Sequence, residues 1–190
     1  MAEQTDTVTT AGKPKVRVWA LVVLAVVAVC VYAIDQISKY LVVTNLTVGV
    51  PVDVLGEFLR FTFVKNPGAA FSIGSGTTWI FAILASAVAV FIIVFSRRIR
   101  SGAWAVLFGL LLGGTLGNLT DRLFREPGFG TGHVIDFFQV WIFPAIFNVA
   151  DIGIVSAMGL FIILTIRGVG LDGARATRDK PEAEPAESIE

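Results

Sequence analysis

The sequence predicts an all-α membrane protein: four transmembrane helices carrying a small extracytoplasmic β-sheet, with both termini cytoplasmic. Three observations carry that prediction. Of the 190 residues 55% are hydrophobic and 16% charged, with a mean hydropathy of +0.77, whereas soluble domains are about a quarter charged. The apolar residues fall into four blocks, each near the ~20 residues that span a ~30 Å hydrocarbon core. Between the first two blocks, β-branched and aromatic residues alternate loosely and Gly and Pro interrupt them, which is strand-and-turn sequence.

The first block, Val18–Ile34, holds 17 uncharged residues. It follows a polar tail, residues 1–17, that is expected to be disordered and ends in Lys13, Lys15 and Arg17. The basic flank, the apolar core and Val31-Tyr32-Ala33 also fit a cleaved signal peptide, but the apolar region exceeds the roughly 7–15 residues usual there. Asp35 and Lys39 come next, spaced i,i+4, so on a continuing helix they pair in a structural role. Over about residues 44–75 the strand pattern predicts a small sheet resting on the bilayer or the helices, because so few strands are not stable alone. Within it, Asn66-Pro67-Gly68-Ala69-Ala70-Phe71-Ser72 fits two readings. One is a plain turn; the other is a loop whose backbone approaches a substrate closely, for which Gly and Ala leave room.

The second block, Thr77–Ser96, ends in Arg97, Arg98 and Arg100. The third, Ala103–Leu119, contains Gly109, Gly113, Gly114 and Gly117, small residues at spacings that let helices pack closely, and closes on Asn118, Asp121 and Arg122. Leu123–Ile146 is expected to be a mixed loop, with Phe137, Phe138, Trp141 and Phe143 of the kind that anchor at a membrane interface. The fourth block runs from near Phe147 to near Ile166, and residues 168–190 are expected to be a second disordered cytoplasmic tail. Four spans put both termini on one side. Lys13, Lys15, Arg17, Arg97, Arg98, Arg100, Arg167, Arg175 and Arg178 gather there, which makes it cytoplasmic by the positive-inside rule.

Two acids stand out against this background. Asp136 sits between Val134-Ile135 and Phe137-Phe138, and Asp151 near the start of the fourth block. A carboxylate at membrane depth costs about 2.5–3.5 kcal/mol on insertion scales, so it calls for a function and a partner. Asn148 and Asp151 are i,i+3, and Asn118 and Asp121 repeat the spacing; each amide can orient a carboxylate or hold a peptide group. Brought within a few ångströms, Asp136 and Asp151 would share a proton, one acting as base on a water and the other polarising a carbonyl. This is aspartic-peptidase chemistry. Three other readings stay open: the acids cap helices or pair with Arg122 and Arg125, Asp151 belongs to a proton relay in a transporter, or the protein is a non-catalytic assembly factor. One His and one Cys leave only carboxylates as metal ligands, so neither a metal nor another cofactor is expected. His133 is expected to be a polar loop residue and Cys30 a buried small apolar one. Nothing points to nucleic acid.

The motifs, taken together, resemble those of the lipoprotein signal peptidases (signal peptidase II) over roughly residues 18–167. The matching stretches are Asp35-Gln36-x-Ser38-Lys39, Asn66 to Ser72, Gly113-Gly114-x-x-Gly117-Asn118-Leu119-x-Asp121-Arg122, Gly132-His133-Val134-Ile135-Asp136-Phe137 and Phe147-Asn148-Val149-Ala150-Asp151. The resemblance implies an intramembrane aspartyl endopeptidase with four helices and an extracytoplasmic β-cradle, acting as a monomer without a cofactor. Its substrate would be a diacylglyceryl-modified prolipoprotein, cut just before the lipidated cysteine, with membrane lipid as the other partner. It further implies that Asp136 and Asp151 are catalytic, that Asn66, Asn118, Arg122 and Asn148 bind and orient substrate, and that Asp35 and Lys39 are structural. Pro67 stands where the family often has Thr, and the loop through Glu126–Thr131 looks longer than the common form.

Overall fold

The computed structural model describes residues 18–68 and 78–175. Both expected tails lie outside these residues in whole or in part, as do Ala69, Ala70, Phe71 and Ser72 of the Asn66 motif. Helix α1 spans Val18–Asn45, α2 Thr78–Phe95, α3 Gly102–Phe124 and α4 Val149–Ile166. All four are long and apolar enough to cross a membrane. The 18 residues of α4 reach about 27 Å and the 28 of α1 about 42 Å at 1.5 Å per residue. The first apolar block therefore does not end its helix at Ile34. The chain continues helical through Asp35 and Lys39, so the charged pair lies on α1 itself.

Helix α3 is the axle. Its apolar window is 56% buried, against 22% for each of the others, and it packs against all three. The glycines allow this. A Cβ on Gly113 would stand 2.6 Å from the Ala28 carbonyl oxygen, and one on Gly109 would stand 2.8 Å from that of Leu24, so any side chain there would force α1 outward. Gly114 makes the same close approach to the Ala150 carbonyl of α4. Around this seam sit Ala20, Leu24, Ala28, Ile92, Leu107, Leu112 and Ala157. The outward faces carry exposed Val, Ile, Leu and Phe, the surface a hydrocarbon solvent accepts. Cys30, expected to be buried, is on that outward face.

The sheet is larger than the sequence suggested. Strands β1, Pro51–Asp53, and β2, Leu59–Asn66, fall within the expected region. The segment expected to be a mixed loop supplies two more, β3, Val134–Val140, and β4, Phe143–Phe147. All four form one antiparallel sheet in the order β1-β2-β3-β4. Its central pairing sets Asn66 opposite Val134 and Val64 opposite Asp136, residues about seventy apart in sequence, which local periodicity cannot reveal. Phe63, Ile135 and Phe137 are buried against Val42 at the end of α1. The expected aromatic anchor cluster is thus divided: Phe137 is core, whereas Trp141 and Phe143 are exposed at the β3–β4 turn.

Residues 168–175, assigned above to a disordered tail, are folded. Gly168 and Gly173 have φ of 61° and 89°, a region that favours glycine, and they turn the chain back on itself. The Leu171 carbonyl then accepts from the backbone N–H groups of Arg100 and Ser101, each at 3.0 Å. The Trp104 indole donates to the Val169 carbonyl at 3.0 Å. The hook closes the end of the bundle opposite the sheet by holding α4 to the start of α3.

Candidate active site

The site begins with a capping problem. A helix leaves its first backbone N–H groups without partners, and α4 solves this with a capping box around Asn148. Asn148 Oδ1 accepts from the Asp151 backbone N–H at 3.0 Å, and Asp151 Oδ2 accepts from the Asn148 backbone N–H at 3.1 Å. Local chain geometry therefore fixes one oxygen of the Asp151 carboxylate. Its other oxygen accepts from Asn118 Nδ2 of α3 at 2.8 Å.

Asp136 enters from the sheet. Its Oδ2 accepts from Asn66 Nδ2, at the end of β2, at 2.8 Å, while Asn66 Oδ1 accepts from the Gly68 N–H. Its Oδ1 accepts from Asn148 Nδ2 at 2.6 Å. Asn148 thus touches both acids, Asp136 through its side chain and Asp151 through its main chain. Each of the four carboxylate oxygens receives an N–H donor.

Both acids line a cavity of about 700 Å³. Val140, Ile142, Phe143, Ala145, Ile146 and Phe147 form its sheet side, and Ile152, Ile154, Val155 and Ser156 carry it along α4. Asp136 is 3% exposed. Burial pushes its carboxyl up to about 7, and the neighbouring charge of Asp151 adds to the rise, against the opposing hydrogen bonds from Asn66 and Asn148. The cavity thus joins a carboxyl that keeps a proton near neutrality to a second carboxyl at a helix N-terminus, a suitable place for negative charge.

Arg122 closes one wall. Its guanidinium donates to the Asn118 and Gly68 carbonyls at 3.1 and 3.2 Å and lies 5.7 Å from the centroid of the Phe81 ring. Its Nε is buried without a hydrogen-bond partner among the described residues. Behind the pair, Lys39 Nζ lies 2.8 Å from both Asp35 and Asp121 and donates to Asn118 Oδ1 at 2.9 Å.

Every residue singled out in the sequence for this chemistry therefore converges on one end of the bundle. Asp136, Asp151, Asn66, Asn118 and Arg122 line the cavity, Asn148 links the acids, and Asp35 and Lys39 sit one layer behind. The expected Asp35–Lys39 pair forms. Helix capping, considered above as a rival to catalysis, is observed at Asp151, whose carboxylate also lines the cavity. The other rival, pairing with arginine, describes Asp121, which takes Arg125 Nε at 2.6 Å. His133 is not among the cavity's lining residues; its backbone N–H bonds the Glu126 carbonyl. Sequence reasoning missed Asp121 as a second partner of Lys39. Its i,i+4 spacing from Arg125, matching that of Asp35 and Lys39, was the available signal.

Comparison with known proteins agrees with this geometry. A family model described as signal peptidase (SPase) II matches residues 27–167. A lipoprotein signal peptidase of Leifsonia xyli is 66% identical over 164 residues, covering 86% of this chain and 76% of its own length. That of Streptomyces griseus is 46% identical over 171 residues, covering 88% and 84%. A bacterial membrane enzyme solved by the in meso method superposes with a TM-score of 0.69 at 29% identity, over 84% of this chain and 94% of the other. A second such structure gives 0.66 at 31% identity, over 76% and 92%. A family match over residues 27–167 and relatives of this identity and coverage, on a fold of four membrane-length helices, show that the chain belongs to the signal peptidase II family, the lipoprotein signal peptidases.

Proposed function

We propose that this protein removes signal peptides from diacylglyceryl-modified prolipoproteins, cutting just before the lipidated cysteine, with Asp136 and Asp151 as the catalytic pair. The observation that carries the assignment is the bridge made by Asn148, which brings an acid from the sheet and an acid from α4 to one cavity.

The division of labour follows from the surroundings of each acid. Asp136, whose carboxyl is raised to about 7 by burial, holds the shared proton and polarises the scissile carbonyl. Asp151, facing two N–H donors at the start of α4, takes a proton from water as it attacks. The tetrahedral intermediate collapses when the proton reaches the leaving amine, and the two acids exchange roles. Asn66 and Asn118 hold the acids by hydrogen bonds, and Arg122, whose buried Nε has no hydrogen-bond partner among the described residues, faces the substrate backbone. Lys39 and Asp35 support them from behind.

The lipid tail of the substrate fits the apolar side of the cavity along Ile152, Ile154 and Val155. The scissile bond would then meet the pair at the bilayer surface rather than inside hydrocarbon. The clustering of basic residues at the ends of α2 and α4 supports cytoplasmic termini and an extracytoplasmic sheet. The test is cleavage of a diacylglyceryl-modified prolipoprotein by the purified protein in lipid bilayers, as a monomer. Asp136→Asn and Asp151→Asn are expected to remove cleavage while leaving the protein folded. Full cleavage by either variant would sink the assignment, and loss of cleavage on adding a chelator would point to a metal enzyme.

A further inference from the structure

We infer that Asp35 and Asp121, held on either side of Lys39, are positioning residues that set the spacing of the Asp136–Asp151 pair; the inference rests on that pair being the catalytic one. The side chains of Asp35, Lys39 and Asp121 are wholly shielded from solvent. Lys39 Nζ lies 2.8 Å from an oxygen of each acid. Each acid also grips a backbone N–H elsewhere in the chain. Asp35 Oδ1 accepts from Ala150 at 2.9 Å, and Asp121 Oδ2 from Ile135 at 3.2 Å. Ala150 is the residue before Asp151, and Ile135 is the residue before Asp136. One buried ammonium therefore joins two carboxylates, and each holds the main chain immediately beside one member of the pair.

A third arm fixes the chemistry as well as the spacing. Lys39 has donors and no acceptor, so Asn118 must turn its carbonyl oxygen toward it. The amide nitrogen of Asn118 is then committed to Asp151 Oδ1, and the same carbonyl oxygen accepts from Asn148 Nδ2. Stability alone does not account for this arrangement, because a buried ion pair is often no better for stability than an apolar replacement of the same volume. Two acids around one lysine, each reaching a different catalytic segment, instead fit a device that holds the sheet and α4 in register. Arg125 neutralises the second acid from the rim.

The experiment measures kcat, KM and the pH profile of the purified full chain in lipid bilayers, with diacylglyceryl-modified prolipoprotein as substrate. Rates are normalised to the folded fraction from thermal melts. Asp35→Asn and Asp121→Asn are compared with Asp136→Asn and Asp151→Asn. Both positioning variants are expected to lose roughly 10- to 100-fold in kcat with little change in KM, the scale of a small misplacement of reacting groups. The two limbs of the bell-shaped profile should also move closer together, because repulsion between more distant carboxylates separates their apparent titrations less. Loss of a nearby negative charge by itself, with Lys39 and Arg122 still facing the pair, would lower both limbs in parallel, and that result overturns the proposal. So does a parental kcat and profile in the folded fraction, which would leave Asp35 and Asp121 purely structural. Cleavage retained in Asp136→Asn or Asp151→Asn would instead defeat the underlying assignment of the pair. Should neither positioning variant fold, Asp121→Glu carries the test, since it keeps the charge facing Lys39 and Arg125 but lengthens by one methylene the arm that holds the Ile135 N–H. Narrowed limbs support the proposal, and an unchanged profile rejects it.

Discussion

At the scale of single residues, Asn148 does the most. It caps α4, donates to Asp136 and fixes the Asp151 carboxylate. Asn148→Ala is expected to cost about 1 kcal/mol of stability as a lost cap and roughly 100-fold in kcat as the acids lose their common support. Thermal melts and initial rates on the same preparation separate the two effects. Asp136 makes a prediction about pH. Its folded-state value of about 7 stands above its ordinary 3.8, so the folded protein binds this proton more tightly than the unfolded chain does. Its contribution to stability is present below about 4 and is lost as pH rises through 7. The melting temperature of the parent should therefore fall relative to that of Asp136→Asn between pH 4 and pH 8. On the proposed mechanism, cleavage should decline above about pH 7 as Asp136 loses its proton. A flat difference in melting temperature across that range would contradict the burial argument. The acids themselves were legible in the sequence because a lone Asp among aromatic and aliphatic residues is costly. Asn148 was legible as one end of an i,i+3 pair and, through the family resemblance, as a substrate-orienting residue; its reach to Asp136 was not, since it crosses the gap between a strand and a helix.

At the scale of elements, the glycine spacing of the third apolar block correctly predicted its close packing, and the structure shows why α3 alone needs it. Among the described residues it is the one helix of the four that is buried mainly by protein. Gly113→Val would push a side chain into the Ala28 carbonyl and is expected to destabilise the bundle by about 1–3 kcal/mol as overpacking. Because α3 also carries Asn118 and Asp121, its displacement should reduce kcat. A variant with parental stability and rate would show that the seam yields more easily than its geometry implies. Strands β3 and β4 were not legible. VIDFFQV carries apolar residues on both faces and one acid, so its period does not separate strand from loop, and its partner β2 lies on the far side of two helices in the chain order. The hook at 168–175 escaped for a related reason: glycines and charges suggest disorder until a carbonyl acceptor is seen beneath the open N-terminus of α3.

At the scale of the whole molecule, the bundle has two unlike ends, one with the sheet and the cavity, the other with Arg97, Arg98, Arg100 and Arg167. Reporter fusions test the proposed orientation. A cytoplasm-active reporter inserted at Arg98–Arg100 should be active, and one at Val48–Gly49 silent, with the reverse for an export-dependent reporter; an external Arg98 would invert the assignment. Composition and four apolar blocks determined by themselves that the chain has four helices able to cross a membrane, and two isolated acids singled out the cavity they share, because burying charge in hydrocarbon is so costly that its placement shows in the sequence. Only the tertiary structure decided that Lys39 lies between two carboxylates, that Asn148 spans the pair, and that the loop after α3 completes the sheet. Those contacts join residues tens of positions apart through side-chain donors and acceptors, and neither periodicity nor composition records which of them meet.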